Sequence, residues 1–187
     1  MGFFVWGVRH QNCPLEIREK LHFTPKQIAC ALEKAKGSPD ILELAILSTC
    51  NRVEFYGYTE SAFVPEEPLL SLMEESHALQ RDFFLPYLFR LEGREMIRHL
   101  FRVASGLDSL VVGENEILGQ VREAFRTAQE WHSVQFFLYR LMEKALKVGK
   151  DVRTRTKINE GAVSIPSVAL ELAQKIFGNL AQKRVMI

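Results

Sequence analysis

The stretch ILSTCNRVEFYGY, Ile46–Tyr58, sets a cysteine, an asparagine and an arginine in a row between two β-like runs. Upstream, Ile41–Thr49 is mostly apolar, which suits a buried strand. Downstream, Val53–Glu60 alternates, which predicts a strand with one wet face. Ser48 to Asn51 are polar and turn-prone. Cys50 therefore falls at a strand end or in a tight connection, and a sheet lies at the centre of the fold.

A free thiol has an ordinary pKa of about 8.5, so little thiolate exists at neutral pH unless a cation stabilises it. Arg52 lies two residues on, a spacing that returns to the same face of a strand. Glu54 shares that face and opposes the effect. Cys50 reads either as a nucleophile or as a small buried hydrophobe beside a surface arginine.

Working outward, Phe3–His10 reads as a strand. A helix follows with Thr24 as N-cap and Pro25 at its first position, and Gly37 is a fair C-cap. An acidic link at Val64–Pro68 leads to a short helix ending near His77. FFLPYLFRLEG, Phe83–Gly93, reads as a further strand that Pro86 confines to an edge or bulge. From Gly93 the period changes, and Met96, Ile97, Leu100, Phe101 and Ala104 mark a helix. Helices are predicted again over Ile117–Trp131, from His132 to about Lys157, and over Val168–Phe177. The last residues, KRVMI, open like the first strand of a dinucleotide-binding unit, with no GxGxxG in the chain. The fold class is α+β, a small sheet with packed helices. Residues 1–110 form its core, a helical segment over 111–160 completes it, and 161–187 form a connector and the first strand of a further domain.

The 187 residues are 47% hydrophobic and 25% charged, which suits a globular chain and argues against disorder. The net charge of +1 rules out a global field for a polyanion. Locally the charge is uneven: Leu138–Lys157 carries seven basic residues against two acidic ones, a segment able to meet phosphates or simply to face solvent. Cys13, Cys30 and Cys50 are widely spaced, with no Cys/His cluster at metal-ligand spacing. No apolar run reaches the ~20 residues of a membrane span and no signal peptide opens the chain, so a cytoplasmic location is expected.

Two further features suit a site. His99 sits among apolar stripe residues, either as a satisfied core histidine or as a general acid or base. GLDSLVVGENEILGQ, Gly106–Gln120, holds three glycines together with Ser109, Glu114, Asn115, Glu116 and Gln120. Those polar groups could line one end of a pocket, or form a loop and an acidic helix start.

LSTCNRVEFYGY, HLFRVASGLDSLVVGENEILGQVREAF and DVRTRTKINEGAVSIPSVALELA, in this order, resemble the N-terminal catalytic part of glutamyl-tRNA reductase. The resemblance implies reduction of the glutamate on its transfer RNA to glutamate-1-semialdehyde, the first committed step of tetrapyrrole synthesis by the five-carbon route. It implies Cys50 as the nucleophile that forms a thioester and His99 as a residue important for activity. It implies substrate-binding positions at Thr49, Cys50, Asn51, Arg52, Ser109, Glu114, Asn115, Glu116 and Gln120. Arg52 is suited to a bidentate grip on a substrate carboxylate. NADPH is the implied cofactor, with its site expected beyond Ile187. The implied partners are the glutamate-carrying tRNA, a second copy of the full-length enzyme, and the downstream glutamate-1-semialdehyde aminotransferase as a candidate. One departure is visible: the family's Glu-Pro-Gln triplet reads Glu114-Asn115-Glu116 here, so that at position 116 a carboxylate replaces an amide, removing two donors and adding a charge. A non-catalytic tRNA-binding or regulatory module and a cysteine hydrolase of small esters are the competing readings.

Overall fold

The computed structural model describes residues 2–61, 63–158 and 165–180, together with Arg184. In chain order the elements are β1 (Gly2–Arg9), α1 (Leu15–Lys20), α2 (Pro25–Ala35), β2 (Glu43–Ser48), β3 (Arg52–Thr59), α3 (Glu66–His77), β4 (Phe89–Glu92), α4 (Gly93–Ala104), α5 (Glu116–Glu130), α6 (Phe137–Arg155) and α7 (Ile165–Phe177). The strands form one sheet in the order β2-β3-β1-β4, with every pair antiparallel.

The period-2 alternation of the strands splits their side chains between two helical layers. Phe4, Trp6 and Val8 of β1, Leu44 and Ile46 of β2, and Val53 and Phe55 of β3 face one cluster with Phe23 and Leu32 near α2 and Leu69 of α3. Val5, Ala45, Leu47 and Tyr56 face the other, with Met96 and Leu100 of α4, Val121 of α5 and Leu138 of α6. The fold is α+β: helices cover both faces of a small antiparallel sheet. All eight residues of β3 are buried, so the wet face expected there does not exist. The face that carries Glu54 is sealed by α4 and the loop after it, and its polar groups pair with one another.

Local sequence explains several boundaries. Thr24 and Gln27 form the reciprocal bonds of a capping box at the start of α2. α2 ends through Lys36 in a right-handed conformation, so Gly37 follows the helix without serving as a left-handed cap. Around Pro86 the chain makes two short 3-10 turns in place of the longer strand expected there, because proline lacks the N–H that a ladder needs. Only Phe89–Glu92 pairs, and it does so at the sheet edge beside β1. The expected strand at 183–187 lies outside the described residues apart from Arg184, which has no regular structure. Among the described residues no helix is long and apolar enough to cross a membrane.

The predicted helix from His132 instead starts at Phe137, because β2 holds the segment before it. His132 takes φ +51°, and Ser133 is bonded to Leu44, whose N–H donates to the Ser133 carbonyl at 2.7 Å. Glu43, only 3% exposed, accepts from the backbone N–H groups of Gln135, Phe137 and Leu138 at 2.8–2.9 Å. Its carboxylate thus satisfies the orphan donors at the start of α6 and meets the positive end of its dipole. α6 in turn approaches α4 closely at Gly149, where an added Cβ would sit 2.5 Å from the Ala104 carbonyl oxygen.

Replacing the Glu43 carboxylate strands three N–H donors, of which that of Leu138 is buried. A Glu43→Ala variant is expected to lose about 3 kcal/mol of stability in urea unfolding, with the loss concentrated in α6 amide protection by hydrogen exchange.

Candidate active site

The turn between β2 and β3 is held from three directions. The Thr49 hydroxyl accepts from the N–H groups of Asn51 (3.1 Å) and Arg52 (3.2 Å), and the Thr49 N–H donates to the Arg52 carbonyl (2.8 Å). The Asn51 carbonyl accepts from the His10 N–H at 2.9 Å. Arg18 of α1, itself buried, donates Nε–H to the Cys50 carbonyl (2.7 Å) and Nη1–H to the Cys13 carbonyl (2.6 Å). The backbone of Cys50 is fixed while its residue stays exposed and its thiol free. A nucleophile needs that combination, whereas a packing cysteine would be covered.

Behind the turn lies a buried polar network. Arg52, 1% exposed, donates Nη1–H to Glu54 (3.0 Å) and Asp108 (3.2 Å) and Nη2–H to the Asp108 carbonyl (2.6 Å). Glu54, fully buried, also accepts from the Tyr56 hydroxyl and lies 3.0 Å from His99 Nε2. Burial alone would push the Glu54 carboxyl up. Arg52, His99 and the Tyr56 hydroxyl outweigh it and bring its pKa down to about 2. The same burial beside a carboxylate raises the Tyr56 phenol well above its ordinary range, so it stays a donor. An ionised Glu54 oxygen accepts only, so His99 carries a proton on Nε2 in this arrangement. Phe89 packs edge-on against the His99 ring.

The stretch after α4 carries Asp108 to this network. The Gly113 N–H donates to the Gly106 carbonyl at 2.9 Å, closing the loop on itself. Gly113 takes φ +83°, and a Cβ there would collide with the Ile158 carbonyl oxygen, so only glycine fits. Ser109, beside Asp108, is buried and its hydroxyl has no partner among the described residues. A pocket of about 240 Å³ opens between β1 and α4, lined by His99, Asp108, Arg9, Arg98 and Arg102 among others. Cys50 is not among its lining residues.

The structure therefore brings Thr49, Cys50, Asn51 and Arg52 together in one turn, and joins them to His99 through Glu54 and to Ser109's neighbour Asp108. Internal acceptors take three of the five N–H groups of Arg52, both on Nη1 and one on Nη2, which leaves only its Nε–Nη2 edge for the bidentate grip expected of it. Its Nε is unpartnered among the described residues. Glu114, Asn115, Glu116 and Gln120 form a separate group at the start of α5. Arg153 ties the Glu114 carbonyl (2.6 Å) and the Asn115 side chain (3.1 Å) to α6, and none of the four hydrogen-bonds to the Arg52 network. Three residues of the network, Asp108, Arg18 and Tyr56, carry no clear signal in the sequence. An aspartate among the apolar residues of GLDSLVV is the one visible hint; nothing in PLEIREK sets Arg18 apart from an ordinary surface arginine. No group of three His, Cys, Asp or Glu among the described residues is placed to hold a metal ion.

Comparison with known proteins places this geometry. The family described as glutamyl-tRNAGlu reductase, N-terminal domain, matches residues 6–156. The glutamyl-tRNA reductase of Trichlorobacter lovleyi is 43% identical over all 187 residues, and that of Bacillus subtilis is 40% identical over the same span. The chain covers 43% and 41% of those two proteins, less than half the length of either. The glutamyl-tRNA reductase structure from Methanopyrus kandleri superimposes with a TM-score of 0.72 at 34% identity, over 93% of this chain and 40% of that one. Sequence and fold agree, and the chain belongs to the glutamyl-tRNA reductase family, corresponding to its N-terminal domain.

Proposed function

We propose that this chain carries out the acyl-transfer half of glutamyl-tRNA reduction. The exposed Cys50, on a turn whose backbone is locked and whose Arg52 bonds to the Glu54 that meets His99, is the observation that carries the reading. The Cys50 sulfur adds to the ester carbonyl that joins glutamate to the terminal ribose. The carbon–oxygen bond to the ribose breaks, and the glutamyl group remains as a thioester. The ribose oxygen leaves as a hydroxyl and takes the proton the thiol has given up.

His99 is suited to move that proton. With Nε2–H committed to Glu54, its Nδ1 is the nitrogen left to accept and return a proton. Glu54 and Tyr56 act on His99 rather than on substrate. Arg52 keeps its Nε–H and one Nη2–H as donors to the substrate, and the Ser109 hydroxyl and His10 Nδ1 are likewise unpartnered among the described residues. Thr49 and Asn51 shape the turn, and Glu114, Asn115, Glu116 and Gln120 stand as a separate group at the start of α5.

NADPH, the cofactor the resemblance implies, would supply hydride in the complete reaction. The described residues do not fit that cofactor: the glycine-rich stretch Gly106–Gly119 follows a helix and folds back on its own backbone, and no strand leads into a phosphate-cradling turn. No reductive step is derived from these residues. A thioester that is not reduced passes slowly to water, which makes this chain a thiol-dependent deacylase of glutamyl-tRNA.

Incubation with tRNA carrying labelled glutamate, followed by acid quench and peptide mass mapping, is expected to find the glutamyl group on Cys50. Cys50→Ser should lower acylation by at least about 10³-fold, and His99→Gln by about 10²-fold. Equal acylation of the Cys50→Ser protein overturns the nucleophile; tRNA binding with no thiol-dependent deacylation favours a binding module instead.

The depressed pKa of Glu54 also makes stability depend on pH. A carboxyl held near 2 in the fold and near 4.5 in the unfolded chain stabilises the fold above 4.5. That stabilisation drains away as pH falls from about 4.5 towards 2. Glu54→Gln should cost about 3 kcal/mol at pH 7 and flatten the acid limb of a urea-midpoint-against-pH plot. An unchanged acid limb would mean that Arg52 and His99 do not hold this carboxylate ionised.

A further inference from the structure

A second depression, about 460 Å³, runs between α4 and α6. Its floor is apolar: Ile97 and Phe101 from α4, Val148 and Val152 from α6, all partly open. Arg94, Arg98 and Arg102 stand along it at i, i+4 and i+8, one helical turn or about 6 Å apart. Arg94, Arg98 and Arg102 are exposed, and none of the three makes an ion pair among the described residues. Arg102 reaches only the Leu107 carbonyl, at 3.5 Å. Glu95 is the single carboxylate that lines the groove. Glu95, Arg98 and Arg102 also line the pocket that holds His99, so the groove and that pocket share a continuous wall along α4.

From this continuity we propose that the α4–α6 groove seats the single-stranded 3′ end of the tRNA, with the arginine row on its phosphates and Phe101 and the valines under a base. The assignment rests on the acyl-transfer reading above. If the ester reacts beside His99, the nucleotides next to that ester must lie against whatever leads into the His99 pocket. A cationic row beside an apolar, aromatic floor is the chemistry that single-stranded nucleic acid takes: charge for the backbone, a flat surface for the base, and no demand on base identity. An acidic protein helix would match the charge equally, but it would have no reason to run into a pocket containing a reactive histidine. The basic helix that the sequence singled out contributes Val148 and Val152 to the floor, while the rim cations come from α4.

The test uses the 187-residue chain, uncharged glutamate tRNA, and the same tRNA trimmed of its four unpaired 3′ nucleotides, with affinity read by fluorescence anisotropy over a salt series. The parent chain is expected to bind trimmed tRNA at least tenfold more weakly than intact tRNA. Arg94→Glu/Arg98→Glu, both on exposed positions, should bind intact tRNA as weakly as the parent binds trimmed tRNA, with no further loss on trimming. Its plot of log affinity against log salt should flatten by about 0.7 for each phosphate no longer neutralised. A parent indifferent to trimming overturns the proposal, as does a variant whose loss is equal on both RNAs. A variant that keeps full affinity for both also overturns it and gives the groove to another occupant. Circular dichroism of the milder Arg94→Gln/Arg98→Gln pair, run through the same binding series, separates removal of the two charges from damage to the fold. Acylation of Cys50 by tRNA carrying glutamate is followed alongside in a separate reaction: its absence in the parent defeats the acyl-transfer reading, whereas normal acylation with unchanged KM in the variants defeats only the groove.

Discussion

The buried Arg52 guanidinium ties the molecule together. It joins the first residue of β3 to Glu54 on the same strand and to Asp108 in the loop after α4, 56 residues away. An unpaired guanidinium inside a protein is very costly, so neither carboxylate is dispensable once Arg52 is buried. The pairing fixes where the loop after α4 lies. It also fixes the direction of the Glu54 carboxylate, and through it the ring of His99. The turn bearing Cys50 and the helix bearing His99 are therefore held in register by one charge cluster rather than by the apolar core, which is indifferent to orientation.

This arrangement separates support from reaction. Arg18, Thr49, Arg52, Glu54 and Tyr56 are all buried, and each spends its polar atoms on backbone or on one another. Cys50 alone of the turn is fully exposed. A rigid frame beneath an open thiol loses little order when a ligand docks there, which keeps the geometry around the thiol intact.

Much of the fold is legible in the sequence because it follows from period. The aromatic and β-branched run FFVWGV and the apolar run ELAILS place β1 and β2, and the stripe Met96–Ile97–Leu100–Phe101–Ala104 places α4. Capping chemistry places the start of α2. The failures share a physical cause: a polar side chain looks the same in sequence whether it meets water or a buried partner. Glu54 makes β3 read as half-wet, and only His99, 45 residues on, shows that its face is closed. Arg52 reads as a free anchor because no pattern in the sequence places Asp108 opposite it. The start of α6 is misplaced for the same reason, since its cap comes from Glu43 on a distant strand. In the site itself, the cysteine turn and His99 stand out by composition and by family resemblance, while the residues that position them do not.

The Glu43 cap also has a consequence for the order in which the chain can fold. Glu43 leaves the ribosome about 95 residues before the amides that satisfy it. Until Leu138 has been made, a carboxylate destined for the interior has no donors, and β2 has reason to stay hydrated. The first helical layer can close over its own face of the sheet in the meantime, because every member of that cluster lies before residue 90. The second layer must then dock onto a sheet that is already half-covered, with Glu43 as the latch that tells β2 its partner has arrived. Vectorial synthesis would thus assemble this domain one face at a time, and the reactive face would be the last to form.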